Sequence, residues 1–333
     1  MQASGPAKSF AGSSSENAAW PVRLVEDRMP RRIPVQGDVT QIGEVRTPPI
    51  ARVPDPVRLF ERRAKRFEVL SGPDGIGPYL GFLAGIARAQ HELAQELPEP
   101  EAPAEASLDR ALEYGMPPLD RNAFTPDEEF LSLSEKLFGK LETLQKPKAA
   151  QAALESVRKA TQAELTAIVT DLMADSVPVE RMAEYGYVAA ALQLRFVRLA
   201  STLPERELKP VGDGACPACG GPPVSSLIVN WPHASGSRFC SCALCGTLWH
   251  HVRIKCAICS STKGIRYQEI EDGPGTIKAE TCDECGCYVK IFNQQKDVSL
   301  DPFADDVGSL GLDLLMKETK FRRGSFNPFL LGY

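Results

Sequence analysis

All ten cysteines of this 333-residue chain fall between Cys216 and Cys287, and nothing before Cys216 supplies another. Eight of them form four C-x-x-C pairs: Cys216/Cys219, Cys242/Cys245, Cys256/Cys259 and Cys282/Cys285. The last two pairs repeat the first two at an offset of 40 residues, so each half reads C-x2-C-x22-C-x2-C. A fixed offset of that size marks a duplicated structural unit. Two residues between cysteines make a tight knuckle that aims both thiolates at one ion, and about 20 residues suffice for a hairpin that returns a second knuckle. Four thiolates around an ion also replace the core that a unit of about 40 residues cannot bury by itself. The eight paired cysteines are therefore read as ligands of two metal ions in four-sulfur sites, iron or zinc, which the same ligand set holds alike. Sequential pairing of the knuckles fits the repeat and is preferred. The alternative joins the two middle pairs and leaves the outer pairs to meet.

Gly220, Gly246 and Gly286 follow three of the knuckles and supply permissive backbone where the chain leaves the turn, whereas Ser260 follows the fourth. Cys240 and Cys287 each sit one residue from a knuckle and are expected to be small buried side chains rather than ligands. His250 and His251 could substitute as ligands, but each site already has four sulfurs, so hydrogen bonding near Trp249 is expected. His91 is read as a packed or surface residue of a helix.

Clustered thiols belong to a reducing compartment when they bind metal, and the N-terminus lacks the apolar run of a signal peptide. The most apolar helical stretch, Val188 to Ala200, is interrupted by Arg195 and Arg198, well short of the ~18–20 residues of a membrane span. A cytoplasmic chain without membrane insertion is expected. Between Lys209 and Lys296 nine Lys/Arg face seven Asp/Glu, and metal-bound thiolates bring that region to about −2. Such a face is a poor partner for nucleic acid. No phosphate loop, dinucleotide fingerprint or Ser/His or Cys/His set with a defined spacing is present, and closed four-sulfur sites leave no open position for a substrate. The chain is read as a non-enzyme.

The fold class expected is α+β: an N-terminal helical bundle, two tandem rubredoxin-like or zinc-ribbon modules with short hairpins, and a C-terminal helix. Residues 1–55, poor in large apolar residues, are read as a mobile tail. Residues 56–208 carry helical periodicity, with breaks at Gly72 to Pro78 and Pro98 to Pro118 and a start at Thr125-Pro126-Asp127-Glu128, where Thr125 can cap. Runs from Lys148 to Ala174 and Val179 to Ala200 complete about five helices. Residues 209–298 hold the metal modules, with strands at Val224 to Trp231, Leu248 to Ile254, Gly264 to Ile270, Thr276 to Ala279 and Tyr288 to Phe292. Residues 299–333 are read as one helix, Pro302 to about Thr319, with Asp305 and Asp306 in its first turn and Val307, Leu310, Leu314 and Leu315 on one face, then a docking tail containing Phe321, Phe326 and Phe329.

Several of these segments resemble one family: Cys216-Pro-Ala-Cys-Gly-Gly-Pro-Pro-Val-Ser-Ser, Cys242-Ala-Leu-Cys leading into Trp249-His-His-Val-Arg-Ile-Lys-Cys, Lys278-Ala-Glu-Thr-Cys-Asp-Glu-Cys, Ala304-Asp-Asp and Asn327-Pro-Phe-Leu. They are similar to the FdhE family of formate dehydrogenase accessory proteins, from about Pro56 to the C-terminus. The resemblance implies rubredoxin-like metal sites at the eight paired cysteines. It also implies an assembly role, binding the immature catalytic subunit of a molybdenum- or tungsten-dependent formate dehydrogenase in the cytoplasm. A rubredoxin-like electron carrier and a nucleic-acid-binding ribbon protein are the alternatives.

Overall fold

The computed structural model describes residues 23–26 and 47–330. Helix α1 (Pro56–Leu70) starts at Asp55, whose carboxylate accepts from the Arg58 N–H at 3.1 Å, with Pro56 in the first turn. It turns Leu59, Phe60, Ala64 and Phe67 onto α2 (Gly77–Glu96). The interval read as a break after Pro98 contains α3 (Glu105–Glu113), which buries none of its residues. A helix with no core face leaves only a weak apolar period, which is why it escapes a periodicity reading. The cap of α4 (Glu128–Glu142) is Asp127, accepting from Phe130 N–H at 2.7 Å, rather than Thr125. An aspartate immediately before the first turn reaches the free N–H groups directly, and its charge suits the helix dipole.

The run from Lys148 to Ala174 is two helices, α5 (Lys148–Lys159) and α6 (Gln162–Met173). They part at Thr161, where Thr161 and Glu164 cap each other's backbone N–H groups. α7 (Met182–Ser201) is buried on nearly every side and touches α1, α2, α4, α5 and α6. Its membrane-like apolarity is that of a central helix. Arg195 and Arg198 sit within it because Asp127 and Glu129 meet them at the bundle's rim. Seven α-helices precede the cysteines among the described residues, where about five were expected.

The cysteine-rich region forms one sheet. Strands β3 (Pro223–Ile228), β4 (Arg238–Cys242) and β5 (Leu248–His250) make an antiparallel meander, and β6 (Ile265–Ile270), β7 (Ile277–Cys282) and β8 (Cys287–Asn293) make a second. The 40-residue repeat is thus a repeat of three strands. The halves are fused through a parallel pairing of β3 with β8, Ser226 opposite Ile291 and Leu227 opposite Phe292. β4 eludes the alternation rule because Arg238-Phe-Cys-Ser-Cys is buried on both faces, polar residues included.

The tail reading of residues 1–55 fails at two segments. β1 (Leu24–Glu26) pairs with β6 and β2 (Ala51–Arg52) with β5, so each outer edge of the six-stranded array receives a strand from the N-terminal region. The rest of that reading, at residues 1–22 and 27–46, lies outside the described residues. Covered edges present fewer unpaired N–H and C=O groups.

The expected C-terminal helix is interrupted at Ser309, giving α8 (Ala304–Gly308) and α9 (Leu310–Met316). The Lys290 ammonium takes the carbonyls of Asp306 at 2.7 Å and Ser309 at 3.2 Å, which a continuous helix would use internally. The break turns α9, so Leu312 and Met316 are buried while Leu314 is exposed. Asp305 and Asp306 do more than complement a dipole. Asp305 holds Arg66 of α1 through both its oxygens, and Asp306 with Asp313 meets Lys290 and Arg323 in a buried set of two cations and two anions. Arg323 belongs to β9 (Arg322–Arg323), which runs parallel to β8.

Candidate metal centres

Each knuckle is the same local device. In three of them the N–H of the first cysteine bonds forward across the turn: Cys216 to Gly221 O, Cys242 to Thr247 O and Cys256 to Ser261 O, all at 2.8–2.9 Å. The residue after the knuckle takes a positive φ: 73° at Gly220, 70° at Gly246, 55° at Ser260 and 66° at Gly286. Three glycines accept this freely, and Ser260 does so against its side chain.

The knuckles meet sequentially. Cys216, Cys219, Cys242 and Cys245 form one group and Cys256, Cys259, Cys282 and Cys285 the other, with the sulfurs of each group within 4.8 Å of one another. Four sulfurs bound about 2.3 Å from a zinc ion stand about 3.8 Å apart in a regular tetrahedron. The second group shows 3.8 Å for both Cys256–Cys285 and Cys259–Cys282, and the first shows 3.6 Å for Cys216–Cys245 and 3.4 Å for Cys219–Cys242. A disulfide needs about 2.0 Å, so these are dithiol geometries that can hold an ion. Backbone N–H groups of Leu244 and Cys245 reach Cys242 Sγ, and that of Ile258 reaches Cys256 Sγ, each at 3.4 Å. Such donors favour thiolate.

Without an ion the four sulfurs cannot share the charged state equally. Burial raises Cys216, whereas Cys242, which burial would also raise, is held below the usual thiol range by hydrogen bonds from Cys216, Cys219 and Cys245. A divalent cation resolves that conflict by taking all four as thiolates.

The two groups differ in their surroundings. The first lies in the same hydrophobic core as the helices, all four cysteines buried. The helical part grips its knuckles directly: Leu119 N–H donates to Ala218 O at 2.8 Å, Arg121 N–H to Cys219 O at 3.2 Å, and Gln193 of α7 to Ala243 O at 2.9 Å. In the second group Cys259 and Cys285 are half-buried.

Cys240 and Cys287 are buried, as expected of packing residues, and burial pushes the Cys240 thiol up to about 12. His251 Nε2 lies 3.1 Å from the carbonyls of Lys255 and Cys256, and His250 packs edge-on against Phe239. Neither belongs to a sulfur group. His91 Nδ1 sits 2.9 Å from Val57 O between α1 and α2. Phe321 and Phe329 are buried, Phe326 packs against the main core, and Phe329 meets Phe303 edge-on.

A buried ion pair escaped the sequence reading. Arg238 of β4 donates two hydrogen bonds to Glu280 of β7, at 2.6 and 2.9 Å, and another to Ser226 Oγ at 3.0 Å. Adjacent strands stand about 4.8 Å apart, so the two long side chains reach towards each other across the intervening β8 and β3. The two meanders are thereby locked by charge as well as by backbone. Neither residue stands out in sequence, since Arg238 opens Arg-Phe-Cys-Ser-Cys and Glu280 shares its strand with Lys278; Lys290, a lone charge within Cys287-Tyr-Val-Lys-Ile-Phe, is the clearer signal of a buried charge.

Comparison with known proteins covers the described residues from 48 onward almost without a gap. Three family models match in succession: "FdhE, N-terminal" at residues 48–213, "FdhE, central domain" at 215–253 and "FdhE, C-terminal domain" at 254–330. A protein FdhE homolog of Rhizobium meliloti (strain 1021) is 47% identical over 302 residues, 90% of this chain and 99% of that protein. This chain belongs to the FdhE family. Another FdhE homolog, from Cronobacter sakazakii, is 36% identical over 277 residues, 82% of this chain and 88% of its own length. The crystal structure of the FdhE protein from Pseudomonas aeruginosa superposes with a TM-score of 0.76 at 31% identity, covering 86% of this chain and 99% of that one. The boundary between the central and C-terminal FdhE models, at 253/254, falls between the two sulfur groups and leaves α8 and α9 with the second.

Proposed function

We propose that this FdhE protein is a maturation factor that binds the immature catalytic subunit of a formate dehydrogenase in the cytoplasm. The observation that carries this reading is the end-to-end match to FdhE proteins across residues 48–330, which includes both sulfur groups. In this reading Cys216, Cys219, Cys242 and Cys245 ligate one ion and Cys256, Cys259, Cys282 and Cys285 another. The helical domain (56–208), the metal modules (209–298) and the C-terminal segment (299–333) act as one recognition body. Four sulfurs per ion leave no coordination position for a substrate, which favours recognition over catalysis. No helix among the described residues is long and apolar enough to cross a membrane.

The test is deletion of the gene in its host, followed by assay of formate dehydrogenase activity and subunit assembly, with affinity capture of the purified catalytic subunit. Loss of assembled enzyme together with a direct complex is expected. Normal assembly in the deletion strain would falsify the reading. Half-buried Cys259 and Cys285 favour a second reading, electron transfer through iron at the outer site, since exposed sulfur shortens the path to a partner. It requires iron at the Cys256/Cys259/Cys282/Cys285 site and a visible spectrum that bleaches reversibly on reduction; two zincs per chain would dismiss it.

A further inference from the structure

A cleft of about 550 Å3 opens between the start of α1 and the loop joining β3 to β4, a size typical of ligand sites. Arg52, Arg58, Arg62 and Arg63 line it, with Asp55, Asp301, Trp231 and His233. Two carboxylates do not balance four guanidinium groups. Asp55 lies 3.4 Å from Arg58, and Asp301 is shared between Arg62 at 3.4 Å and Arg63 at 4.0 Å. One oxygen of Asp301 is already taken by the N–H groups of Phe303 and Ala304. Arg52 has no carboxylate partner among the described residues and lies over the Trp231 ring, 5.4 Å from its centroid.

Arg63 is the most telling of the four. It is only 5% exposed, yet its Nε has no hydrogen-bond acceptor among the described residues, and its one side-chain bond is a long 3.4 Å contact to Gln193. Desolvation pulls it down to about 10 even though Asp301 works the other way. The Phe303 and Phe60 rings, 4.1 and 5.4 Å away, and Asp301 at 4.0 Å offset part of the burial, but the unbonded Nε remains costly, and an anion entering the cleft relieves that. The N-terminus of α1 opens on the same cleft and adds partial positive charge.

We propose that this cleft binds a small phosphorylated molecule, its phosphate oxygens held by Arg52, Arg58 and Arg62 and its charge completing the surroundings of Arg63. Planar guanidinium forks match phosphate oxygens in pairs, and several of them around one cleft suit a multiply charged group. The carboxylates of an acidic peptide carry single charges spread along a chain, which such an arrangement serves less well.

The test is calorimetric titration of the full chain, both ions loaded, with inorganic phosphate, pyrophosphate, ADP and adenosine, the metal content being measured again afterwards. Arg52→Gln/Arg58→Gln removes two exposed arginines that do not touch Asp301, and Lys136→Gln on α4 is the control. Submillimolar binding of pyrophosphate or ADP is expected, weakened at least about tenfold in the double variant and unchanged in the control. Tighter binding of ADP than pyrophosphate assigns a nucleotide, and equal binding assigns the phosphate group alone. Absence of binding by the wild type, or full binding by the double variant, overturns the proposal. So does capture of polyglutamate at these arginines with no phosphate binding, which reassigns the cleft to acidic peptides. Circular dichroism checks the fold, and if the double variant is misfolded, Arg58→Gln, at an 86% exposed side chain, decides alone. The outcome is independent of whether a formate dehydrogenase subunit binds.

Discussion

Ser260 holds the left-handed backbone that glycine holds at the other three knuckles. A side chain there costs about 1 kcal/mol, so Ser260→Gly is expected to stabilise the metal-loaded protein by about 0.5–1 kcal/mol, read as a rise in thermal midpoint. A lower midpoint would mean that Ser260 makes a contact worth more than its strain. At Gly246 the margin is opposite: a Cβ would stand 2.6 Å from Leu59 Cδ1, at a φ of 70°. Gly246→Ala should cost about 2 kcal/mol or more, combining strain with displacement of a buried leucine; wild-type stability would show that α1 yields easily. The cysteine spacing was readable because four-sulfur chemistry is local and periodic. The grip of α1 on Gly246 was not, since nothing in the knuckle encodes which helix lies against it.

Among the elements, the repeat of three strands followed from the repeat of cysteines, but its halves are not equivalent. One sulfur group is stitched to α7 and to Leu119 and Arg121, and the other has two half-buried cysteines. A competing chelator should therefore remove one ion quickly and the second at least about tenfold more slowly, because the inner ion is released only when the surrounding core opens. Monophasic release would contradict that. Cys256→Ser should leave one ion and an intact helical signal, while Cys216→Ser should lose helical stability as well, measured by metal per chain and far-ultraviolet circular dichroism. Helix starts were legible only roughly: periodicity placed the first near Pro56, but Asp127 was passed over for Thr125 and the Thr161/Glu164 box was missed, because a capping side chain looks like any other polar residue until its backbone partners are placed. The split at Ser309 was hidden because its cause, Lys290, lies on a distant strand.

For the whole molecule, the α+β order of helical region, sulfur-bearing sheet and C-terminal helical segment was legible from apolar periodicity, the cysteine repeat and the short β-rich runs. What the sequence concealed is how the ends are tied in. Lys290, Asp306, Asp313 and Arg323 form a buried neutral set, and Tyr288 and Asn327 add hydrogen bonds to it at 2.8 and 2.9 Å. Lys290→Met leaves two buried carboxylates with one cation, and a loss of about 3–5 kcal/mol is expected in denaturant unfolding; a change under about 1 kcal/mol would show that water or protonation compensates. The parallel seam between β3 and β8 has a consequence during synthesis. β3 leaves the ribosome dozens of residues ahead of β8, which among the described residues is the strand that covers its far edge, and Arg66 waits longer still for Asp305. A nascent chain can close its first sulfur knuckles early, but it carries an open strand edge until nearly all of it has been made. Stalled or truncated copies would thus be the sticky ones.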